Sequence, residues 1–159
     1  MFKVKIDSKQ LEYMLKEKEA RAKDSKSLMN DIEGDLQDSK NQNFARQGRP
    51  MRWQRLKDTT LKARAKKGRS GKILQVKRQL LSSINSRSTD TKAIIGTNKP
   101  YARIHNEGGT IKHPGTDKGF GRGVHIPGHD IKMPKRPFLR LLRKERANIF
   151  DKIRKYFEK

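Results

Sequence analysis

A glycine pair, Gly108-Gly109, fixes the centre of this chain. It stops Tyr101-Ala102-Arg103-Ile104-His105-Asn106-Glu107, a stretch that follows Pro100 and reads as one short helix. Before it stands Ile94-Ile95-Gly96-Thr97, a β-branched strand signal. After it comes Met133-Pro134-Lys135-Arg136-Pro137-Phe138-Leu139, an extended Pro-x-x-Pro run leading into a final helix. A strand, a tight helical corner and an extended return must therefore meet within about 45 residues, which demands a mixed α and β fold.

The material for a core is scarce. Only 31% of the 159 residues are apolar and 36% are charged, so one domain spanning 1–159 is expected, with few large anchors. Trp53, the single Trp, and Leu56 are two of them. Cysteine is absent, which excludes disulfides and thiolate metal sites. No apolar run reaches the length of a membrane span or a signal-peptide core, which implies no membrane partner and a cytosol-like compartment.

Periodicity supplies the rest of the order. Phe2, Val4 and Ile6 alternate with lysines as in a half-buried strand. Asp7 and Gln10 resemble a capping box ahead of a helix with Leu11, Met14 and Leu15, running to Lys23. Asp24 or Ser25 caps a second helix striped by Leu28, Ile32 and Leu36 and ending near Phe44; its Asp31, Glu33, Asp35 and Asp38 read as a solvated face. Gly48-Arg49-Pro50 breaks it. Asp58 or Thr59 caps a short helix through Ala65, and Leu80, Leu81 and Ile84 suit another. Residues 85–98 read as a hairpin turning near Ser88-Thr89-Asp90. Segment 113–130 is glycine-rich and fits either a long hairpin or a mobile loop. Pro137 suits the first turn of a last helix reaching Phe157, with an apolar stripe of Leu139, Leu142, Ile149, Ile153 and Tyr156, of which Leu142, Ile149 and Ile153 are expected to pack on the sheet that carries Ile94. The expected fold is α+β: a single domain with a small antiparallel β-sheet packed by several helices, including a long C-terminal helix.

The charge is partitioned. Residues 1–45 carry nine basic and nine acidic side chains; residues 46–159 carry 31 basic and 8 acidic, which accounts for the net +23. Thirteen cations fall between Arg46 and Arg78 against Asp58 alone. Such a tract attracts a polyanion, either nucleic-acid backbone or an acidic protein surface. The side chains expected to make that contact are Arg49, Arg52, Arg55, Lys66, Lys67, Arg69 and Lys72. With Trp53 drawn inward, no stacking platform for base reading is evident.

Chemistry is otherwise poorly supported. Gly68-Arg69-Ser70-Gly71-Lys72 is too short for a phosphate loop, and Ile73 stands where Ser or Thr belongs. Gly119, Gly121 and Gly123 miss the dinucleotide spacing. His113, His125 and His129 lack a tight ligand pair, and His105 reads as a structural histidine. With no nucleophile elbow and no paired carboxylates, neither catalytic residues nor a cofactor or metal is expected.

The motif words then gain weight from their order. Asn43-Phe44, Trp53-Gln54-Arg55-Leu56, Ile73-Leu74, Leu80 with Ser83-Ile84, Ile95-Gly96-Thr97, Tyr101-Ala102-Arg103-Ile104-His105 with Gly108-Gly109, and Arg136-Pro137-Phe138-Leu139 together resemble the virion-morphogenesis (tail-completion) family of tailed bacteriophages. Trp53, Gly96, Tyr101, His105, Gly108, Gly109, Arg136, Pro137 and Phe138 carry the likeness. Two places depart from it: Lys77-Arg78 replaces a small residue followed by Gly, and Asn106-Glu107 replaces a polar-aromatic pair. The resemblance implies a non-enzymatic structural protein of the tail end or neck. It would assemble as a homo-oligomeric ring, contact neck, portal or tail proteins and, through non-specific backbone contacts, the packaged DNA, and reside in the virion after assembly in the host cytoplasm. The alternative class is a cytosolic protein that binds nucleic acid without sequence preference.

Overall fold

A computed structural model of the chain describes residues 8–69, 71–119 and 124–158. The alternating Phe2–Ile6 stretch and the Asp7 cap lie outside them. The order is α1 (Ser8–Lys23), α2 (Lys26–Ala45), α3 (Asp58–Ala65), α4 (Gln79–Ser83), β1 (Ile84–Ser88), β2 (Ala93–Thr97), α5 (Ala102–Glu107), β3 (Gly109–His113), β4 (Thr116–Gly119), β5 (Val124–Ile126), β6 (His129–Met133) and α6 (Arg143–Glu158). The fold is α+β. Its strands form three two-stranded ladders, β1-β2, β3-β6 and β4-β5, where one small sheet was expected. β3 pairs antiparallel with β6 from Gly109–Met133 to His113–His129, and β4 pairs antiparallel with β5 beyond it. The described parts of the glycine-rich segment thus pair as two short antiparallel ladders.

The chain divides into two compact units. One comprises the chain up to Ser39, Ser86–Ile95 and the chain from Leu141 on. Here α2 presents polar side chains at helical spacing to alternate residues of β1. Lys26 Nζ donates to the Ser88 carbonyl (2.8 Å), and the Ser88 hydroxyl donates to Asn30 Oδ1 (2.6 Å). One step along, Ser86 donates to Glu33 (2.6 Å) and accepts from Gln37 (2.7 Å). The Ser86 and Ser88 hydroxyls lower the Glu33 pKa below the usual carboxylate value. Part of the acidic face expected to be solvated is therefore bonded to the hairpin.

α6 lies antiparallel to α2, because their contacts run in opposite order. Ser39 donates to Glu145 (2.8 Å), Lys152 pairs with Asp35 (2.6 Å), and the Tyr156 hydroxyl donates to the Asp24 carbonyl (2.8 Å). The expected helix start is corrected. The helix starts at Arg143, not Pro137, because Glu145 accepts the Leu142 backbone N–H (2.8 Å), the reciprocal half of a capping box. Its Ile149/Ile153/Tyr156 stripe is half-buried, and Ile94 is 58% exposed.

The second unit, Lys40–Asn85 with Gly96–Arg140, holds most of the buried apolar side chains. Phe44 meets Trp53 edge-on (centroids 5.6 Å, 86°) and Phe138 at a tilt (5.6 Å, 42°). Asn43, fully buried, binds this cluster to the backbone. Its Nδ2 donates to the Phe138 and Arg140 carbonyls (3.1 and 2.8 Å), and its Oδ1 accepts from Arg49 Nε (2.9 Å). Gly48, at φ 110°, lets the chain double back; a Cβ there would stand 2.6 Å from the Trp53 nitrogen. Phe138→Ala should lower the unfolding free energy by about 3–5 kcal/mol, whereas Ile94→Ala should stay within about 0.5 kcal/mol. Denaturant titration of both variants checks this, and equal effects would reject the assignment of the core.

Candidate functional site

The corner around α5 is built by backbone contacts that only short or polar side chains allow. Gly108 has φ 77°, and a Cβ on it would lie 2.9 Å from the Lys135 nitrogen and 3.1 Å from the Met133 oxygen. The chain leaving β6 therefore passes directly against the end of α5. It is fastened there: Arg136 N–H donates to the His105 carbonyl (2.9 Å), and Asn106 Oδ1 accepts from the Phe138 and Leu139 N–H groups (3.1 and 3.4 Å). Tyr101 stacks edge-on against His105 (6.0 Å, 78°). Seven of the nine residues expected to carry the likeness thus lie at this corner, and Trp53 lies in the Phe44/Phe138 cluster. Gly96 stands apart: a Cβ there would meet nothing within 4 Å, and the structure gives no steric reason for its glycine.

Beside this corner is a pocket of about 500 Å³. Leu56, Leu74, Val76, Leu80 and Met133 form its apolar walls; Arg64, Lys77 and Arg78 supply cations beside His105 and Arg136, with no acidic side chain among the described lining residues. Two residues of this rim, Leu74 (φ 59°) and Arg78 (φ 54°), hold left-handed backbone that costs a non-glycine residue about 1 kcal/mol or more. Arg136 is 6% exposed; its Nε has no hydrogen-bond partner, and its Nη2 reaches only the Gln54 carbonyl at 3.4 Å. His105 Nδ1 is also buried without a partner. Burial, then the Arg136 charge, pushes the His105 pKa below its ordinary value. Burial, then the Arg64 charge, lowers that of Arg136. The sequence pointed to Arg136 and His105 only as motif residues.

The cationic tract sorts into two kinds of residue. Arg49 is buried, with its guanidinium bonded to Asn43 and to Gln42 Oε1 (2.7 Å), so it is a structural arginine and leaves the expected contact set. Arg52, Arg55, Lys66, Lys67, Arg69 and Lys72 are exposed, with Arg55 paired to Asp58 at 3.3 Å. Lys66, Lys67 and Arg69 occupy the close of α3. There Gly68 (φ 59°) donates to the Ala65 carbonyl and Arg69 N–H to that of Arg64, both at 3.0 Å. This double bond pattern is a Schellman stop, which holds the loop in shape while its cations face solvent. Lys57 occupies the cap position of α3 without a side-chain bond, and Asp58 is already helical.

Among the described residues no group of three or more His, Cys, Asp or Glu side chains is placed to hold a metal. His113 and His129 stack at 5.0 Å across the last β3–β6 pair. Gly121 and Gly123 of the glycine-spaced segment lie outside the described residues. No described helix is long and apolar enough to cross a membrane.

Comparison with known proteins bears on what such a corner serves. The chain matches the phage virion morphogenesis family over residues 6–158. It is 37% identical over 131 residues to the Mu-like prophage FluMu G protein 2 of Haemophilus influenzae, covering 82% of this chain and 77% of that protein. No solved structure matches it.

The depressed His105 pKa has a pH consequence. Unfolded, the imidazole takes up a proton as pH falls through about 6.5; folded, it resists to lower pH. The folded state therefore loses stability as pH drops from that value towards the folded pKa. His105→Gln should flatten this part of the curve of unfolding midpoint against pH. Superimposable wild-type and variant profiles would show that His105 does not titrate in this way.

Proposed function

Because the chain belongs to the phage virion morphogenesis family, we propose that it completes the phage tail and joins it to the DNA-filled head as a ring of identical subunits. Its place in virion morphogenesis is the premise; the tail end, the neck and the ring are the reading built on it. The observation that carries the reading is the match over nearly the whole chain, 6–158, combined with a charge excess confined to residues 46–159. Like charges gathered on a ring repel unless an anion stands close, and DNA in a channel or an acidic neighbouring ring supplies one. A closed ring also needs two different surfaces that fit each other. α1 offers one, with Leu11, Tyr13, Met14 and Leu15 all more than half exposed. The two-stranded β3–β6 and β4–β5 ladders offer backbone edges suited to another. The role is structural, without a catalytic step or cofactor, and it places the protein in the virion after assembly in the host cytoplasm.

The α3-closing loop is the part of the tract best placed to meet phosphate. Changing Lys66, Lys67, Arg69 and Lys72 together to Ser should leave the unfolding midpoint unchanged and weaken duplex DNA binding at low salt. The dependence of log K on log salt should lose roughly 0.9 per phosphate contact removed. In a complementation assay read by electron microscopy, the same variant should yield fewer tailed, DNA-filled particles. Normal particles at normal titre would remove this loop from the mechanism.

A further inference from the structure

We propose that the pocket between α5 and the Leu74–Leu80 segment is a docking site for an acidic peptide segment of a neighbouring protein, one that carries a bulky apolar side chain beside its carboxylate. The first observation is the unmatched charge of Arg136. A buried guanidinium without a carboxylate costs several kcal/mol. Here it keeps a free Nε and one long bond to a carbonyl, and it forms no ion pair. His105 Nδ1, on the same wall, is a second buried polar atom with no partner. The second observation is the composition of the lining. Arg64, Lys77 and Arg78 add positive charge, and no acidic side chain is among the described lining residues. The third is that the remaining lining, led by Leu56, Leu74, Val76 and Met133, is aliphatic and half-exposed.

These features together select the occupant. Free phosphate or a duplex backbone satisfies the cations and leaves the aliphatic walls wet, because duplex DNA meets proteins mainly through phosphate and sugar oxygens. An uncharged apolar segment covers the walls and leaves Arg136 unpaired. A segment with Asp or Glu next to Leu, Phe or Met answers both, placing a charge-assisted hydrogen bond inside an apolar surround where it is strongest. The pocket volume of about 500 Å³ admits a few side chains of such a segment. The distinction from the α3-closing loop is chemical: that loop has no apolar walls and suits a polyanion.

The test pans a random dodecapeptide display library against the whole protein and measures the affinity of one enriched, synthesised peptide. Enriched sequences should place Asp or Glu within a few residues of a bulky apolar side chain. Lys77→Glu, an exposed change, and Arg136→Met should each weaken the synthesised peptide roughly tenfold or more. Because Lys77 is on the surface, that variant decides the matter even where Arg136→Met fails to fold. Selection of peptides without acidic residues would overturn the proposal, as would peptides whose affinity both folded variants retain. A short duplex DNA that binds wild type, loses affinity in both variants and displaces every selected peptide would make the pocket a phosphate site instead. The assay uses no phage particle, so its failure leaves the tail reading standing, and a normal titre for the loop variant leaves this proposal standing.

Discussion

The amide of Asn43 is the interaction on which the second unit depends. It is fully buried, and three hydrogen bonds engage it: two donated to the Phe138 and Arg140 carbonyls and one accepted from Arg49. A buried amide that loses such partners costs about 1–3 kcal/mol for each group left bare, so the network tolerates only one arrangement of its three strands of chain. That arrangement places Phe138 against Phe44 and holds the segment after β6 where Arg136 and His105 share one wall of the pocket. The chain therefore uses polar contacts where a richer sequence would use more apolar ones, as a composition of 31% apolar residues requires.

Much of this was legible where the local signal had one physical meaning. The helices Ser8–Lys23 and Lys26–Ala45 follow apolar spacing, and α5 ends at Gly108 because its backbone conformation and the close approach of Lys135 both exclude a side chain. The turn after Ser88 fell where Thr89 and Asp90 marked it. The failures came where two signals competed. Pro137 looks like a helix start, but Phe138 is claimed by the core at 1% exposure, and the helix waits for Glu145 to cap it. Arg49 sits in a run of thirteen cations, and nothing in its spelling separates it from Arg46 or Arg52; only the buried amide of Asn43 does. The pocket was invisible in the same sense, since its walls come from segments far apart in sequence.

The partition of charge acquires a structural meaning. The acidic side chains of α2 are partly spent within their own unit, on Ser86 and on Lys152. The second unit is left with cations at the close of α3 and around the pocket, and with Arg136 buried and unpaired. Like charges gathered in this way repel one another, and a nearby negative charge relieves that repulsion.

The central claim, that the Asn43 network fixes the functional corner, is tested most directly by a double-mutant cycle. Unfolding free energies are measured for the wild type, Asn43→Ala, Arg49→Ala and the double variant. The account predicts a coupling of about 1–3 kcal/mol between the two positions, as expected for a buried, charge-assisted bond. Additive effects, with coupling below about 0.5 kcal/mol, would contradict it and return Arg49 to the solvent-facing tract.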